Sequence, residues 1–572
     1  MPKRVAITIA GAVSLGSYEA GVLYEVLEAL RRHNAAAKTE DEKIYVDVVT
    51  GASAGGMTAA MAVQRLLYDA ANLSDPQKNV FYQAWVARIS LASLVRMKWR
   101  ENIWHSLFSS DLIESLGKQF LIDPLLQRRR SGATKTDVHP AIEVERDANG
   151  NPQLDTDGNL IPKPLWLGLA LTNLDGLNYG YPILEDRADK FQYTRCVDQM
   201  TRNVAVTPDA AVELWGPLLD AAMASGAFPF AFRAQDIQRQ RSEYQDATLE
   251  DWPAHTSKTF TYTDGGVLQN QPIGLAKNLI DDLVQQRLKQ GDVSAYNDAD
   301  SRLYIFVSPH SLQSGVSAGF TAANANFARM TDELVRTYTR QAEFHDWIMA
   351  EQLNQQVNIL DLRAEELAKA LTGNTGGLEV AALKTAAIQL ATLLSGGEPQ
   401  RKARTDRLQT QYKKLYDEVS ATGPDQAEAW LNSILTLEAA ANLETRDRMN
   451  ILAVMANGRQ ELAGAGMVSF AGFFSAKYRE HDYTVGRIKA REYLAQPEVR
   501  KILGNIVVES PNLPDTSGIT KLPIPVWRAL LAGGPALLWL VAWRTIRWWP
   551  SAVGVLILVA ILLVWLLGRH PL

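Results

Sequence analysis

The chain has 572 residues, 47% of them hydrophobic and 21% charged, with a formal net charge of −5. That length is too great for one core, so two or more domains are expected, and the balance of charge excludes the basic footprint of a nucleic-acid binder. The single cysteine, Cys196, excludes an internal disulfide, points to a reducing compartment and reads as a small core residue.

After Met-Pro-Lys-Arg comes the apolar run Val-Ala-Ile-Thr-Ile-Ala. It is too short for a signal peptide and reads as a buried first strand, Arg4–Ala10. It runs into a glycine turn, Gly11-Ala12-Val13-Ser14-Leu15-Gly16, followed by a helical pattern over Ser17–Arg32. A second strand, Tyr45–Thr50, ends in Gly51-Ala-Ser53-Ala-Gly55, and a helix is expected over Gly56–Asn72. Strand, G-x-S-x-G turn and helix together read as a nucleophile elbow. The turn is so sharp that the serine projects above the strand end, and small neighbours are required. Ser53 then lies at the positive end of a helix, where an alkoxide or a tetrahedral oxyanion is stabilised. The chemistry this suggests is acyl transfer.

Asp147–Asn159 is turn-rich and reads as a hairpin tip. It is not a calcium loop, since Pro152 or Leu160 falls where such a loop needs glycine and no glutamate closes it. Further strands are expected at Leu165–Leu171, Thr259–Thr263 and Leu303–Ser308, with a helix at Pro272–Lys289. Strands alternating with helices over residues 1–310 indicate an α/β domain. Asp175 follows a strand and reads as a turn cap. His105 and His345 stand among aromatics without partners at metal-ligand spacing, so packing is their expected role and no metal site is assigned.

A serine nucleophile needs a base, and two residues qualify. Asp264 ends a β-prone run and is followed by Gly265 and Gly266. His310 ends the strand Leu303-Tyr-Ile-Phe-Val-Ser-Pro-His, and the order Ser53, Asp264, His310 would match an α/β-hydrolase triad.

Residues 311–510 read as mainly helical, with apolar residues at helical spacing in 362–371 and 400–419 and breaks at Gly373–Gly377 and Ser395–Pro399. Their surface suits a lid, a dimer interface or a platform for a protein partner. Residues 511–525 form a turn-rich linker. From Trp548 to Gly568 the chain runs without a charge. At about 1.5 Å per residue this spans roughly 30 Å, a hydrocarbon core, with tryptophans at both ends. An earlier apolar run, 529–543, is short for a span and suits an interfacial segment or hairpin arm. Arg528, Arg544 and Arg547 precede the long run and only Arg569 follows it, which keeps the N-terminal part cytoplasmic if there is one span.

The set of motifs resembles the patatin-like phospholipase family. There a glycine-rich oxyanion loop follows the first strand, a G-x-S-x-G elbow comes soon after, and an Asp-Gly-Gly or Asp-Gly-Ala motif lies downstream. The matching stretches here are Gly11–Gly16, Gly51–Gly55 and Asp264-Gly265-Gly266, continued by Asn270 and Pro272. Ala224-Ser-Gly-Ala-Phe-Pro-Phe-Ala-Phe232 resembles the block that precedes the family's aspartate, and Phe473–Arg487 is similar to a segment of bacterial patatin-related proteins with a C-terminal extension.

The pattern beyond 310 gives a helical extension over 311–510 and a membrane anchor over 526–572, and the resemblance, which covers about residues 5–310, implies a three-layer α/β/α catalytic domain over 1–310. It also implies a Ser53–Asp264 dyad without histidine or cofactor, acting on membrane lipid esters. A bacterial inner-membrane location with the catalytic domain in the cytoplasm follows. A solvated aspartate, with a pKa of about 4, is a poor base for serine, so the dyad needs a dry pocket. The loop departs from the family's Gly-Gly-Gly-x-Arg/Lys-Gly pattern at Ala12, Val13 and Leu15. A neutral acylglycerol or thioester is the alternative substrate. A non-catalytic membrane scaffold on the same fold is the rival reading from a different class.

Overall fold

The computed structural model describes residues 2–95, 106–131, 136–182, 190–206, 208–229, 231–244, 249–250, 252–292, 302–310, 320–325, 327–373, 379–441, 443, 449–458, 461–465, 469–504 and 506. In chain order these form β1 (Lys3–Ile9), α1 (Gly16–Ala36), β2 (Ile44–Gly51), α2 (Ala54–Tyr68), β3 (Trp166–Pro182), β4 (Lys190–Asn203), α3 (Pro208–Ser225), β5 (Gln235–Gln240), β6 (Ser257–Asp264), α4 (Ile273–Lys289) and β7 (Leu303–Ser308). Then follow α5 (Phe327–Thr372), α6 (Val380–Ser395), α7 (Glu398–Gln411), α8 (Lys413–Ser420), α9 (Pro424–Ala440), β8 (Asn450–Met455) and α10 (Ala476–Leu494). Short helical turns occupy parts of 80–131.

The eight strands form one mixed sheet in the order β5-β6-β3-β2-β1-β7-β8, with β4 paired to β3. Its centre is parallel: β1 lies between β2 and β7, and β2 pairs with the start of β3. Central parallel strands are buried on both faces, which explains why β1 and β2 read as continuous apolar runs. Val5, Ile7 and Ile9 of β1 face α1, α2, α3 and α10, whereas Ala6 and Ala10 face α4 and the middle of α5. The expected α/β/α layering is thus present, and the expected strands and helices occur within a few residues of their places except that β3, expected to end at Leu171, runs on to Pro182.

A second core lies between the later part of α5 and α6–α9, centred on Trp430, whose indole N–H donates to the Ala364 carbonyl at 2.9 Å. This is the helical region expected after 310, but its extent differs. Asn450–Met455 pairs in parallel with β7, from Leu303 opposite Asn450 to Ser308 opposite Met455. The chain therefore returns to the α/β body after α9, which corrects the single 311–510 extension. The reason is local: the six-residue apolar run at 450–455 fits a strand or a helix by periodicity alone, and the open edge of β7 decides it. α10 then packs on α1. Gly21 and Gly486 allow backbone contact there, since a Cβ on either would come within 2.1 Å of a carbonyl on the other helix. Glu25 of α1 accepts from Arg487 and Arg491 at 2.7 and 2.8 Å.

Asp147–Asn159 forms two successive turns, with Gly150 and Gly158 at φ of 83° and 81°. In each, the leading aspartate, Asp147 or Asp155, accepts backbone N–H groups two and four residues on. Among the described residues no single helix is long and apolar enough to cross a membrane. The expected linker 511–525, the arm 529–543 and the span 548–568 lie outside the described residues.

Candidate active site

The register of β3 brings two distant motifs together. β2 runs parallel to β3 and leaves it at Gly51, opposite Leu169. β6 runs antiparallel along β3 and ends with Asp264 opposite Leu171. The two strand ends therefore point at each other over Ala170. Ser53, two residues past Gly51, donates from Oγ to Asp264 Oδ2 at 2.6 Å.

The elbow geometry is explicit. Ser53 has φ 54° and ψ −128°, a strained conformation for a residue with a Cβ, and it immediately precedes α2. A Cβ on Gly51 would sit 2.3 Å from the Gly55 carbonyl, and one on Gly55 would sit 2.3 Å from that of Ala10. Larger residues would push the turn off β1. Gly265 has the same role on the other side, where a Cβ would lie 2.0 Å from the Ala170 carbonyl. The Gly266 N–H donates to Asp264 Oδ1 at 2.7 Å, and Thr172 Oγ1 donates to the Asp264 carbonyl at 2.8 Å. The carboxylate is fixed on both oxygens and on its backbone.

Both side chains are shielded: Ser53 is 6% exposed and Asp264 2%. Burial lifts the Asp264 carboxyl from 3.8 to about 7, although the hydrogen bonds from Ser53 and Gly266 pull the other way. This is the dry environment that the sequence reading required of an aspartate base.

The Gly11–Gly16 turn lies against Ser53. A Cβ on Gly11 would be 3.0 Å from Ser53 Cβ and 2.0 Å from Asn270 Oδ1. The Gly11 N–H donates to the Asn270 carbonyl at 2.9 Å, tying this loop to the segment after Asp264. Val13 takes φ 53°, the left-handed region, at a cost of about 1–2 kcal/mol for a residue with a Cβ. Gly16 packs on the face of Trp85. Ser14 and Leu15 are buried, each 1% exposed. Leu15 stands in the core where the family pattern has a charged side chain. Among the described residues, no hydrogen-bond acceptor takes the backbone N–H of Ala12, Val13 or Ala54. Ala54 directly follows Ser53 in the elbow, and Ala12 and Val13 follow Gly11, which lies against Ser53.

Ser225, within the Ala224–Phe232 stretch, belongs to the site although no local pattern in the sequence marks it. Its Oγ accepts the Ser53 N–H at 3.0 Å and donates to the Ala170 carbonyl at 2.8 Å. It thereby locks the elbow to the middle of β3. Asp175 is elsewhere, its Oδ2 accepting the Thr261 N–H at 2.7 Å. His310 follows β7, two strands from β2, with its N–H donating to Ser308 Oγ, and takes no part in the Ser53–Asp264 pair. Cys196 is half-buried on β4. His105 and the side chain of His345 lie outside the described residues.

An apolar pocket opens one helical turn along α2 from this centre, with neither Ser53 nor Asp264 in its lining. Its lining includes Met57 and Met61 of α2, Trp85, Phe120, and Leu219 and Ala222 of α3. Met57 is one helical turn beyond Ser53 and packs on Gly226, next to Ser225. Trp85 and Phe120 come from two π-helical turns, Gln83–Arg88 and Lys118–Ile122, a conformation frequent at functional sites.

Residues 7–277 match the family model described as Patatin-like phospholipase. This stretch is a patatin-like phospholipase domain. The match includes the glycine loop, the elbow, the cavity and the Asp-Gly-Gly turn, and it ends within α4. No curated protein matches the chain. The family is one of lipid acyl hydrolases, and the buried Ser53 of this patatin-like domain and its carboxylate partner Asp264 both lie within the matched residues.

Proposed function

We propose that the protein is a serine acyl hydrolase that cleaves lipid carboxylic esters, of phospholipase A or lysophospholipase type, through a Ser53–Asp264 dyad. The observation that carries this reading is the 2.6 Å hydrogen bond between a buried serine hydroxyl and a buried carboxyl with a pKa of about 7. A base of that pKa is half ionised near neutrality and matched to its task.

Asp264 takes the Ser53 proton as Oγ attacks the ester carbonyl. The N–H groups of Ala12, Val13 and Ala54, with the N-terminal end of α2, stabilise the oxyanion. Collapse expels the alcohol, which takes the proton from Asp264 and leaves an acyl group on Ser53. Asp264 then accepts a proton from water as it attacks the acyl-enzyme, and collapse releases the fatty acid while Ser53 Oγ takes that proton back from Asp264. The cavity beside Met57 suits an acyl chain. The apolar segment 548–568 would hold the enzyme on the bilayer that contains its substrate, with the catalytic domain on the cytoplasmic side of a bacterial inner membrane.

The test is fatty-acid release from mixed-phospholipid vesicles by the full chain, with Ser53→Ala in parallel and fluorophosphonate labelling as a second readout. Serine-dependent release and labelling of Ser53 are expected. Neither release nor labelling would overturn the reading.

A further inference from the structure

The oxyanion loop is held from outside the matched domain. Ser14, in the middle of the loop, donates from its hydroxyl to the Ser469 carbonyl and accepts the Gly472 N–H at 3.1 Å. Its partners are 455 and 458 residues away in sequence. The neighbouring Leu15 packs on Gly464, where a Cβ would be 3.0 Å from Leu15 Cδ2. This stretch is itself tied to α10. Asp482 accepts the N–H groups of Ala463 and Gly464 at 2.7 and 2.8 Å. Arg479 donates to the Gly472 carbonyl at 2.9 Å and to that of Val86 at 3.0 Å, in the π-helical turn that lines the cavity. α10 in turn is docked on α1, which begins at Gly16 where the loop ends.

We propose that Ala463–Ala465 and Ser469–Asp482 act as a strut that positions the Gly11–Gly16 loop, with Ser14 as the point where it grips. Val13 needs such a restraint. A β-branched residue at φ 53° persists only where its surroundings over-determine the backbone, and the strut fixes the two residues that follow it. Ser14 is a positioning residue: its hydroxyl is fully engaged by Ser469 and Gly472 and faces the strut. Through it the amides of Ala12 and Val13 depend on a part of the chain that joins the sheet after the whole helical module. The catalytic consequence rests on the proposed acyl hydrolase activity; the restraint on the loop does not.

The experiment compares full-length wild type, Ser14→Ala, Gly472→Ala and the double variant. Hydrogen exchange of amides 11–16 reports the loop directly. Turnover of a soluble ester is measured per active site titrated with fluorophosphonate, with Tm alongside. Exchange at 11–16 should quicken by roughly tenfold or more in each single variant, and kcat per titrated site should fall by a similar factor with KM almost unchanged. A Cβ on Gly472 would meet Ser14 Oγ at 2.7 Å, so Gly472→Ala should cost less when Ser14 is already alanine. Unchanged exchange at 11–16 together with unchanged kcat per titrated site overturns the proposal, even if Tm falls, because a merely structural contact lowers Tm alone. If the wild type neither labels nor turns over, the hydrolase reading fails and the exchange data alone decide the strut.

Discussion

Replacing Asp264 by asparagine should abolish turnover and, above pH 7, make the protein more stable. The carboxyl ionises at 3.8 when solvated and at about 7 in the fold because burial opposes its charge. Between those values the unfolded chain has lost the proton that the folded chain keeps. Stability from this group is therefore complete below about pH 4, falls as pH rises, and is fully lost above about pH 7. The gap is about three pKa units at about 1.4 kcal/mol each, so the ionised carboxylate costs the fold about 4 kcal/mol at pH 8. Asparagine is the same shape, can still accept the Gly266 N–H through Oδ1, and carries no charge. Urea midpoints of wild type and Asp264→Asn should coincide near pH 4 and diverge to the variant's advantage up to pH 8. Wild-type kcat/KM should rise with pH through an apparent midpoint near 7 and then level. Parallel stability curves at all pH values, or a rate limb near pH 4, would refute the argument that burial makes this aspartate a base.

Three further outcomes follow from the geometry. Ser53→Ala should remove ester hydrolysis and fluorophosphonate labelling while leaving the folded state intact, since alanine keeps the Ser53 N–H bond to Ser225; circular dichroism beside the activity assay checks both. Ala222→Phe places a ring in the cavity, and kcat/KM for long-chain esters should fall by roughly tenfold while butyryl esters are spared; equal losses on both would show that the cavity does not receive the acyl chain. Leu15→Arg restores a cation at a site that is 1% exposed and faces Gly464, so thermal or chemical denaturation should show a loss of roughly 3 kcal/mol or more.

What was legible in the sequence was what the local backbone demands. Gly51, Gly55 and Gly265 each abut a carbonyl oxygen, a requirement that leaves glycine in the sequence whatever surrounds it. β1, β2 and β7 are buried on both faces and so read as strands without context. The polar strands β4 and β5 lie toward one end of the sheet and carry too little apolar pattern to be read, and β8 is a run too short to separate from a helix. Ser225 was hidden for a different reason. Its role is a hydrogen bond to a backbone N–H and a carbonyl on two other elements, and a lone serine in a small-residue block carries no mark of that.

The altered loop shows the limit most clearly. From the sequence, Val13 and Leu15 are departures from a glycine-rich, basic pattern and argue for a damaged site. In the fold, Leu15 is buried against Gly464, Ser14 is engaged by Ser469 and Gly472, and Val13 holds its left-handed backbone beside them. The compensating residues sit about 450 positions away, beyond a helical module and beyond the matched domain. A motif read alone shows which residues were lost, whereas the tertiary partners decide whether the loop they belong to has lost its shape; here the partners are present, and the Ser53–Asp264 pair beside the loop keeps a 2.6 Å hydrogen bond.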